Sequence, residues 1–461
     1  MSDTQDYDAG AVPPPKTWGI YVYFAADVRN SAMQASVWST LQTIALVGSK
    51  ETVKITAMVD LPGRNTEYYI IPPRPKTPAE AQARILPDRF LSNVNSASID
   101  TIMDFFDWSH RNCPADNIAL IFWGHGYALD DFDPRIQQKI GGIAPTSADG
   151  IMGRVASTFP AGRPGELKLL YDATHNSVLS NRDFSQAIRN YCEFFNQRRP
   201  IQILGLDCCN MAMVEVLTEF QGSTEYAVAA ETALPFQAWL SAPVLQKFLD
   251  GPMLTARQFA ITAVQDFVDY MASSATLFIE LSACNMECFG RLETAMRELV
   301  KALLPAIEIS ENRRAVAHAW ERDVSFLPDG MIDLASFCEL LASYINPAEA
   351  DVKTAALSVR DAVQGFPKTD GSCTGGVVDY KGIAPRFTGR RIERAKGLSI
   401  WFPPWIQFPH VRYFQMRQSK DYLFGGPDGY SSTRFAKVTG WDRFLLKLFF
   451  LTQGQIGYSG G

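Results

Sequence analysis

The stretch Ile201–Met211, IQILGLDCCNM, is the one on which the fold reading turns. A mostly apolar run ends at Asp207 and two adjacent cysteines, and further apolar residues follow at once. Near-continuous apolar runs suit strands of a parallel sheet that helices cover on both faces. Comparable runs lie at Trp18–Ala26, Val53–Val59, Asn117–Trp123, Glu225–Ala230, Thr276–Leu281 and Leu398–Phe402. Amphipathic patterns separate them. Ile99, Ile102, Met103 and Phe106 recur at helical spacing after Ser98, and Phe184, Ile188, Tyr191 and Phe195 do so after Ser180, where Asp183 takes the capping-box position. The alternation predicts an α/β fold: an open, mostly parallel sheet with helices on both faces.

Composition narrows the function classes. The chain has 461 residues, 47% of them hydrophobic and 20% charged, with 43 Lys and Arg against 49 Asp and Glu, for a net charge of −6. This mild acidity leaves no footprint for nucleic acid or an anionic membrane. Residues 1–16 are acidic and Pro-rich and read as a disordered lead with no signal-peptide pattern. No apolar run is long enough to span a membrane, and FLLKLFF near 444–450 is broken by Lys447. Eight cysteines without regular spacing suit reduced thiols in a cytoplasmic protein.

Two units are expected after the lead. Residues 17–285 form the α/β domain, with a Gly/Pro-rich insertion loop at 135–178. Residues 286–461 form a helix-rich C-terminal lobe that returns to the sheet through GLSIWFPP.

Reactive groups in open α/β sheets gather at the carboxyl ends of the strands. His125 follows one such run in FWGHG, and Asp207, Cys208 and Cys209 follow another. A thiol and an imidazole at neighbouring strand ends suit nucleophilic attack on a carbonyl. Gly126, lacking a Cβ, can bring a backbone N–H close to a developing oxyanion. In an extended segment Asp207 and Cys209 share one side and Cys208 takes the other. Asn210 is a plausible N-cap for a helix opening at Met211, and a helix N-terminus lowers a nearby thiol pKa. Both points favour Cys209 as nucleophile and Cys208 as packing. No C-x-x-C pair completes a zinc site, so no metal is expected at the cysteines. Cys284 and Cys288 of CNMEC read as packing, and His110, His175, His318 and His410 as structural or surface residues. No P-loop or strand-linked glycine fingerprint supports a nucleotide cofactor. Asp130, Asp131 and Asp133 form an acidic cluster that reads as a solvated loop, with calcium as the alternative.

With these residues in place the chain resembles the clostripain-like cysteine peptidases, relatives of the caspases. The resemblance spans roughly 17–450 and rests on IALIFWGHG, LGLDCCNMAMVEV, AVAAETALPFQAW, MIDLASFCELL, GLSIWFPP and WDRFLLKL in that order. It implies a caspase-like fold and a Cys–His dyad of Cys209 and His125. It also implies an oxyanion hole from the backbone of Gly126 and Cys209, and Asp207 in a pocket for Arg or Lys at P1. Gln237 stands ahead of Trp239 where the family often has a second acidic residue, which weakens the basic pocket. The residue between Asp207 and the nucleophile is Cys208 where the family usually has a smaller one. Family members are often zymogens cut between the His and Cys strands, and Arg154, Arg163 and Lys168 lie in that interval.

The function expected is therefore a cysteine endopeptidase acting on protein substrates. Its activity is held latent until it is processed or triggered by a regulatory partner. The rival readings are a catalytically silent scaffold that binds partner proteins and an amidase using the same dyad.

Overall fold

Alternation along the first strand divides the molecule into layers. Tyr21, Tyr23 and Ala25 pack into one core, while Trp18, Ile20, Val22 and Phe24 pack into the other. Both faces are apolar because helices cover both. The computed structural model describes residues 16–128, 168–273, 278–327, 330–365, 375–383, 392–402 and 430–453.

Among these residues the strands are β1 (Trp18–Ala25), β2 (Val53–Asp60), β3 (Thr66–Ile70), β4 (Arg89–Leu91), β5 (Asn117–Trp123), β6 (Gly126–Ala128), β7 (Lys168–Asp172), β8 (Ser177–Ser180), β9 (Ile201–Asp207), β10 (Thr224–Ala229), β11 (Ile279–Asn285), β12 (Ser325–Leu327), β13 (Met331–Asp333), β14 (Val377–Ile383) and β15 (Ser399–Trp401). Nine of them form one sheet in the order β14-β11-β10-β9-β5-β1-β2-β3-β4. The stretch β10-β9-β5-β1-β2 is parallel throughout. Antiparallel strands flank it on each side, β11 and β14 at one edge and β3 and β4 at the other. The mixed α/β sheet with a parallel centre is as the apolar runs predict.

Helices Ile99–Asn112 and Asn181–Phe194 cover one face. Their N-caps are the residues the sequence marks: Ser98 Oγ accepts from the Thr101 N–H, and Ser180 Oγ from the Asp183 N–H. Helices Ser31–Val47, Ala242–Asp250 and Ala256–Met271 cover the other face.

Two expectations differ from the structure. The end of the 135–178 stretch is not loop: β7 and β8 pair antiparallel, and β6 joins them in a small sheet of its own. Leu169, Leu170, Tyr171 and Leu179 are buried there, so this segment has an apolar side to pack. The C-terminal portion rejoins the nine-stranded sheet through β14, not through GLSIWFPP. That stretch supplies β15, which pairs with β13 in a second small sheet. Helices Phe289–Ala306, Leu334–Tyr344 and Ala350–Gln364 share the core that also holds Phe105 and Phe184. Buried Glu215 links the portions, its Oε1 accepting from the Trp401 N–H at 3.0 Å and the Tyr430 hydroxyl at 2.8 Å.

Candidate active site

The site forms where β5 and β9 end side by side. Their parallel register runs from Ala119 against Ile203 to Trp123 against Asp207. His125 and Cys209 each lie two residues beyond that last pair, so the register delivers them together at the carboxyl edge. The Gly124 N–H donates to the Asp207 carbonyl at 3.4 Å. A Cβ on Gly126 would lie 2.0 Å from the Cys209 carbonyl oxygen and 2.9 Å from its nitrogen. No side chain fits between these backbones, which explains the glycine after His125. The His125 carbonyl accepts from the Leu170 N–H at 2.8 Å, and its ring stacks on Tyr127 with centroids 5.5 Å apart.

The two cysteines occupy different environments, as strand alternation predicts. Cys208 is 1% exposed, with Sγ toward the Phe122 carbonyl at 3.5 Å, and it shares a core with Leu204 and Leu206. Asp207 and Cys209 turn toward the segment 232–239 instead. Asp207 Oδ2 accepts from the Trp239 N–H at 3.0 Å, and Cys209 Sγ lies 3.9 Å from the Leu234 carbonyl.

The helix expected at Met211 is absent. Asn210 is in the left-handed region, φ 59°, and turns the chain; the next helix, Val214–Leu217, is a single short turn that begins after Met213. Cys209 therefore gains nothing from a helix N-terminus. Burial pushes its thiol up from the ordinary value, against the smaller opposing effect of its contact with the Leu234 backbone. Burial also lowers His125 to about 4. Both groups are half-buried, and desolvation favours the neutral form of each.

Asp207 is 3% exposed, its Oδ1 is buried without a hydrogen-bond partner, and burial raises its carboxyl well above the usual range. The exposed side chain of Gln237 lies on the same 232–239 segment. The Trp239 indole is fully buried in the core and lies against Gly205, where a Cβ would meet its Cζ2 at 2.4 Å. The main-chain N–H of Trp239, not its ring, reaches Asp207. Lys168 opens β7, whereas Arg154, Arg163, Asp130, Asp131 and Asp133 lie outside the described residues. Sequence reasoning missed Leu170 and Leu234. Both act through the backbone, and neither side chain carries a chemical signal. Among the described residues no metal-ligating cluster includes Cys209, His125 or Asp207, and no helix is long and apolar enough to cross a membrane.

Residues 166–363 match the model of the clostripain family. The matched segment includes Cys209 but begins after His125. No curated protein sequence gives a significant match. Three solved structures share the fold. A secreted C11 cysteine protease from Bacteroides thetaiotaomicron, in complex with an irreversible peptide inhibitor, is 13% identical with a TM-score of 0.56, over 93% of this chain and 100% of that one. An inactive zymogen C11 protease from Parabacteroides distasonis is 12% identical with a TM-score of 0.54, over 93% and 99%. A second secreted C11 protease structure from Bacteroides thetaiotaomicron, called iotapain, is 10% identical with a TM-score of 0.58, over 92% and 99%. Residues 166–363 thus match the clostripain family, and the chain shares the α/β architecture of the solved C11 cysteine proteases.

Proposed function

We propose that the chain is an endopeptidase in which Cys209 is the nucleophile and His125 the general base and acid. The observation that carries this reading is the contact of the His125–Gly126 backbone with Cys209 at the ends of two paired strands. His125, neutral at pH 7, takes the Cys209 proton as sulfur attacks the scissile carbonyl, then gives it to the leaving amine. Water hydrolyses the thioester with His125 again as base. The N–H groups of Gly126 and Cys209 hold the oxyanion. The close approach of the Gly126 and Cys209 backbones supports this role.

Asp207 recognises Arg or Lys at P1. In support, its Oδ1 is a buried carboxylate oxygen without a partner, and a substrate cation would relieve the cost of its burial. With Gln237 exposed nearby and bearing no charge, the pocket holds one carboxylate. Latency fits the burial of Asp207, which is 3% exposed beside half-buried His125 and Cys209. Opening would follow a cut in the 135–178 region, at Arg154, Arg163 or Lys168, or the binding of a partner. The described cysteines are all free thiols, which suits a reducing compartment such as the cytoplasm.

Cleavage of a peptide library by the purified chain tests the reading, before and after limited proteolysis. Cuts after Arg or Lys that vanish in Cys209→Ala are expected. Undiminished cutting by that variant would refute it.

A further inference from the structure

We propose that Glu280, backed by Glu231 and Asp333, is a positioning residue that holds the segment 232–239 in place against Cys209 and Asp207. This role rests on the proposed function and concerns the same site. In antiparallel β10 and β11 the register sets Ala229 against Ser282, which brings Glu280 alongside residue 231. There β10 has ended and the chain leaves the sheet for the active site. Glu280 Oε1 accepts from the Thr232 N–H at 2.9 Å, and the Glu231 N–H also faces this carboxyl.

The peptide so held is the one on which the site is built. The Thr232 carbonyl accepts from the Asn210 N–H at 3.0 Å, directly after Cys209. The Ala230 carbonyl accepts from the Ala212 N–H at 2.8 Å, so both sides of the nucleophile turn dock on 230–232. Beyond Thr232 the segment brings the Leu234 carbonyl to Cys209 Sγ and the Trp239 N–H to Asp207. One carboxyl on β11 therefore anchors the stretch that carries both contacts. Glu280 itself touches no substrate.

Glu231 and Asp333 join this anchor to the C-terminal portion. Glu231 Oε2 accepts from the Gly397 N–H at 3.0 Å. Asp333 Oδ1 accepts from the Ser336 N–H at 2.7 Å, and its Oδ2 from the Lys396 N–H at 2.5 Å. The protonated Glu231 carboxyl donates to the Asp333 carboxylate. Its Oε1, which no N–H or hydroxyl reaches, is the oxygen left to carry that proton.

All three carboxyls are fully buried, so their charge state decides whether the anchor holds. Burial raises Asp333 to about 6, Glu280 to about 8, and Glu231 well above the usual carboxyl range, the last with help from the Asp333 charge. Asp323 and Tyr380 face the same cluster. Lys396 favours ionisation of Asp333, and Arg394 that of Asp323. The thiols of Cys284 and Cys338 lie beside it too, and burial keeps both protonated. At pH 7 Asp333 is thus the charged member, and Glu280 and Glu231 are neutral. Their folded pKa values are raised, so what they contribute is fully present below about 4.5 and is lost as pH rises through about 8. Ionised Glu280 beside charged Asp333 then loosens the segment 232–239.

Hydrogen exchange of the full-length chain at about pH 7 and pH 9, corrected for intrinsic rates, reads the anchor without reference to peptidase activity. In the wild type, protection across 230–239 should fall by about ten-fold at the higher pH while the β5 amides stay protected. Glu280→Gln keeps an acceptor for Thr232 and cannot ionise, so it should retain that protection. Glu280→Ala leaves the Thr232 N–H unsatisfied and should lower kcat/KM by about 10–100-fold. Glu280→Gln should restore most of this loss and move the basic limb of kcat/KM up by about one pH unit. The glutamine variant and the exchange data keep the test decisive if the alanine variant does not fold. Equal protection at both pH values in the wild type would overturn the role, as would a Glu280→Gln variant with the wild-type pH profile. Should exchange respond as expected while the wild type cuts no peptide, the proposed function fails and the anchor stands.

Discussion

Gly126 packs on the main chain of Cys209 so closely that a Cβ there would sit 2.0 Å from the Cys209 carbonyl oxygen. The peptide after the histidine and the peptide of the thiol are therefore one assembly, built by the β5–β9 register. Gly126→Ala must push them apart. We expect a loss of about 1–3 kcal/mol in stability from overpacking and a fall in kcat/KM of about 100-fold from misplacing the reacting groups. Thermal melts and peptide kinetics would show both, and an alanine variant of full activity would contradict the geometry.

The burial of His125 sets the acid limb of the pH profile. Its pKa is lowered to about 4, so the imidazole is neutral and able to accept a proton at all higher pH. The acid limb of kcat/KM should fall near pH 4, well below the position of an ordinary histidine near 6.5. A limb near 6.5 in folded protein, checked by circular dichroism at each pH, would show that His125 is not the base or is not buried in the active form.

Asp207→Asn separates the charge of Asp207 from its hydrogen bond. The amide oxygen can still accept from the Trp239 N–H, but the carboxylate that would pair with a P1 cation is gone. Cleavage after Arg or Lys should drop by about 10–100-fold in kcat/KM, chiefly through KM, since a charge-assisted bond contributes roughly 1.5–3 kcal/mol. Peptides with a neutral P1 residue should be cut within a few-fold of wild type. Equal losses on both substrate types would mean that Asp207 shapes the site and does not select the substrate.

Glu215 predicts a pH dependence of stability away from the chemistry. Burial raises its carboxyl from 4.5 to about 7, opposed by the Trp401 N–H and the Tyr430 hydroxyl. Its folded pKa is raised, so its contribution is fully present below about pH 4.5 and is lost as pH rises to about 7. The unfolded state binds fewer protons in that window. The loss should approach about 3 kcal/mol. Glu215→Gln keeps an acceptor for both donors and cannot ionise, so its denaturation midpoint should exceed wild type above pH 7 and flatten between 4.5 and 7. A variant less stable than wild type at pH 8 would contradict this.

Much of the parallel sheet could be read from sequence because burial on both faces leaves an unbroken apolar signature, as in Trp18–Ala25 and Asn117–Trp123. The helix starts at Ser98 and Ser180 were legible for a local reason, since capping needs one hydroxyl at a fixed offset. The turn after Cys209 was not. Asn210 reads equally as an N-cap or a left-handed turn residue, and the tertiary bond from its N–H to the Thr232 carbonyl decides for the turn. Strand β14, VVDYKGI, escaped notice because its residues are only partly buried at the sheet edge. At the site, the residue types of His125, Gly126, Asp207 and Cys209 carried the signal. Leu170 acts through its N–H alone, which no residue-type signal reveals.

The central claim is that Cys209, and not its neighbour Cys208, is the nucleophile. Its most direct test is labelling of the purified chain with a thiol-directed, Arg-mimicking peptide inhibitor, read by peptide mass mapping. A single adduct on Cys209 is predicted, absent from Cys209→Ala and from His125→Ala, and retained in Cys208→Ala. An adduct on Cys208, or equal labelling of both thiols, would contradict it.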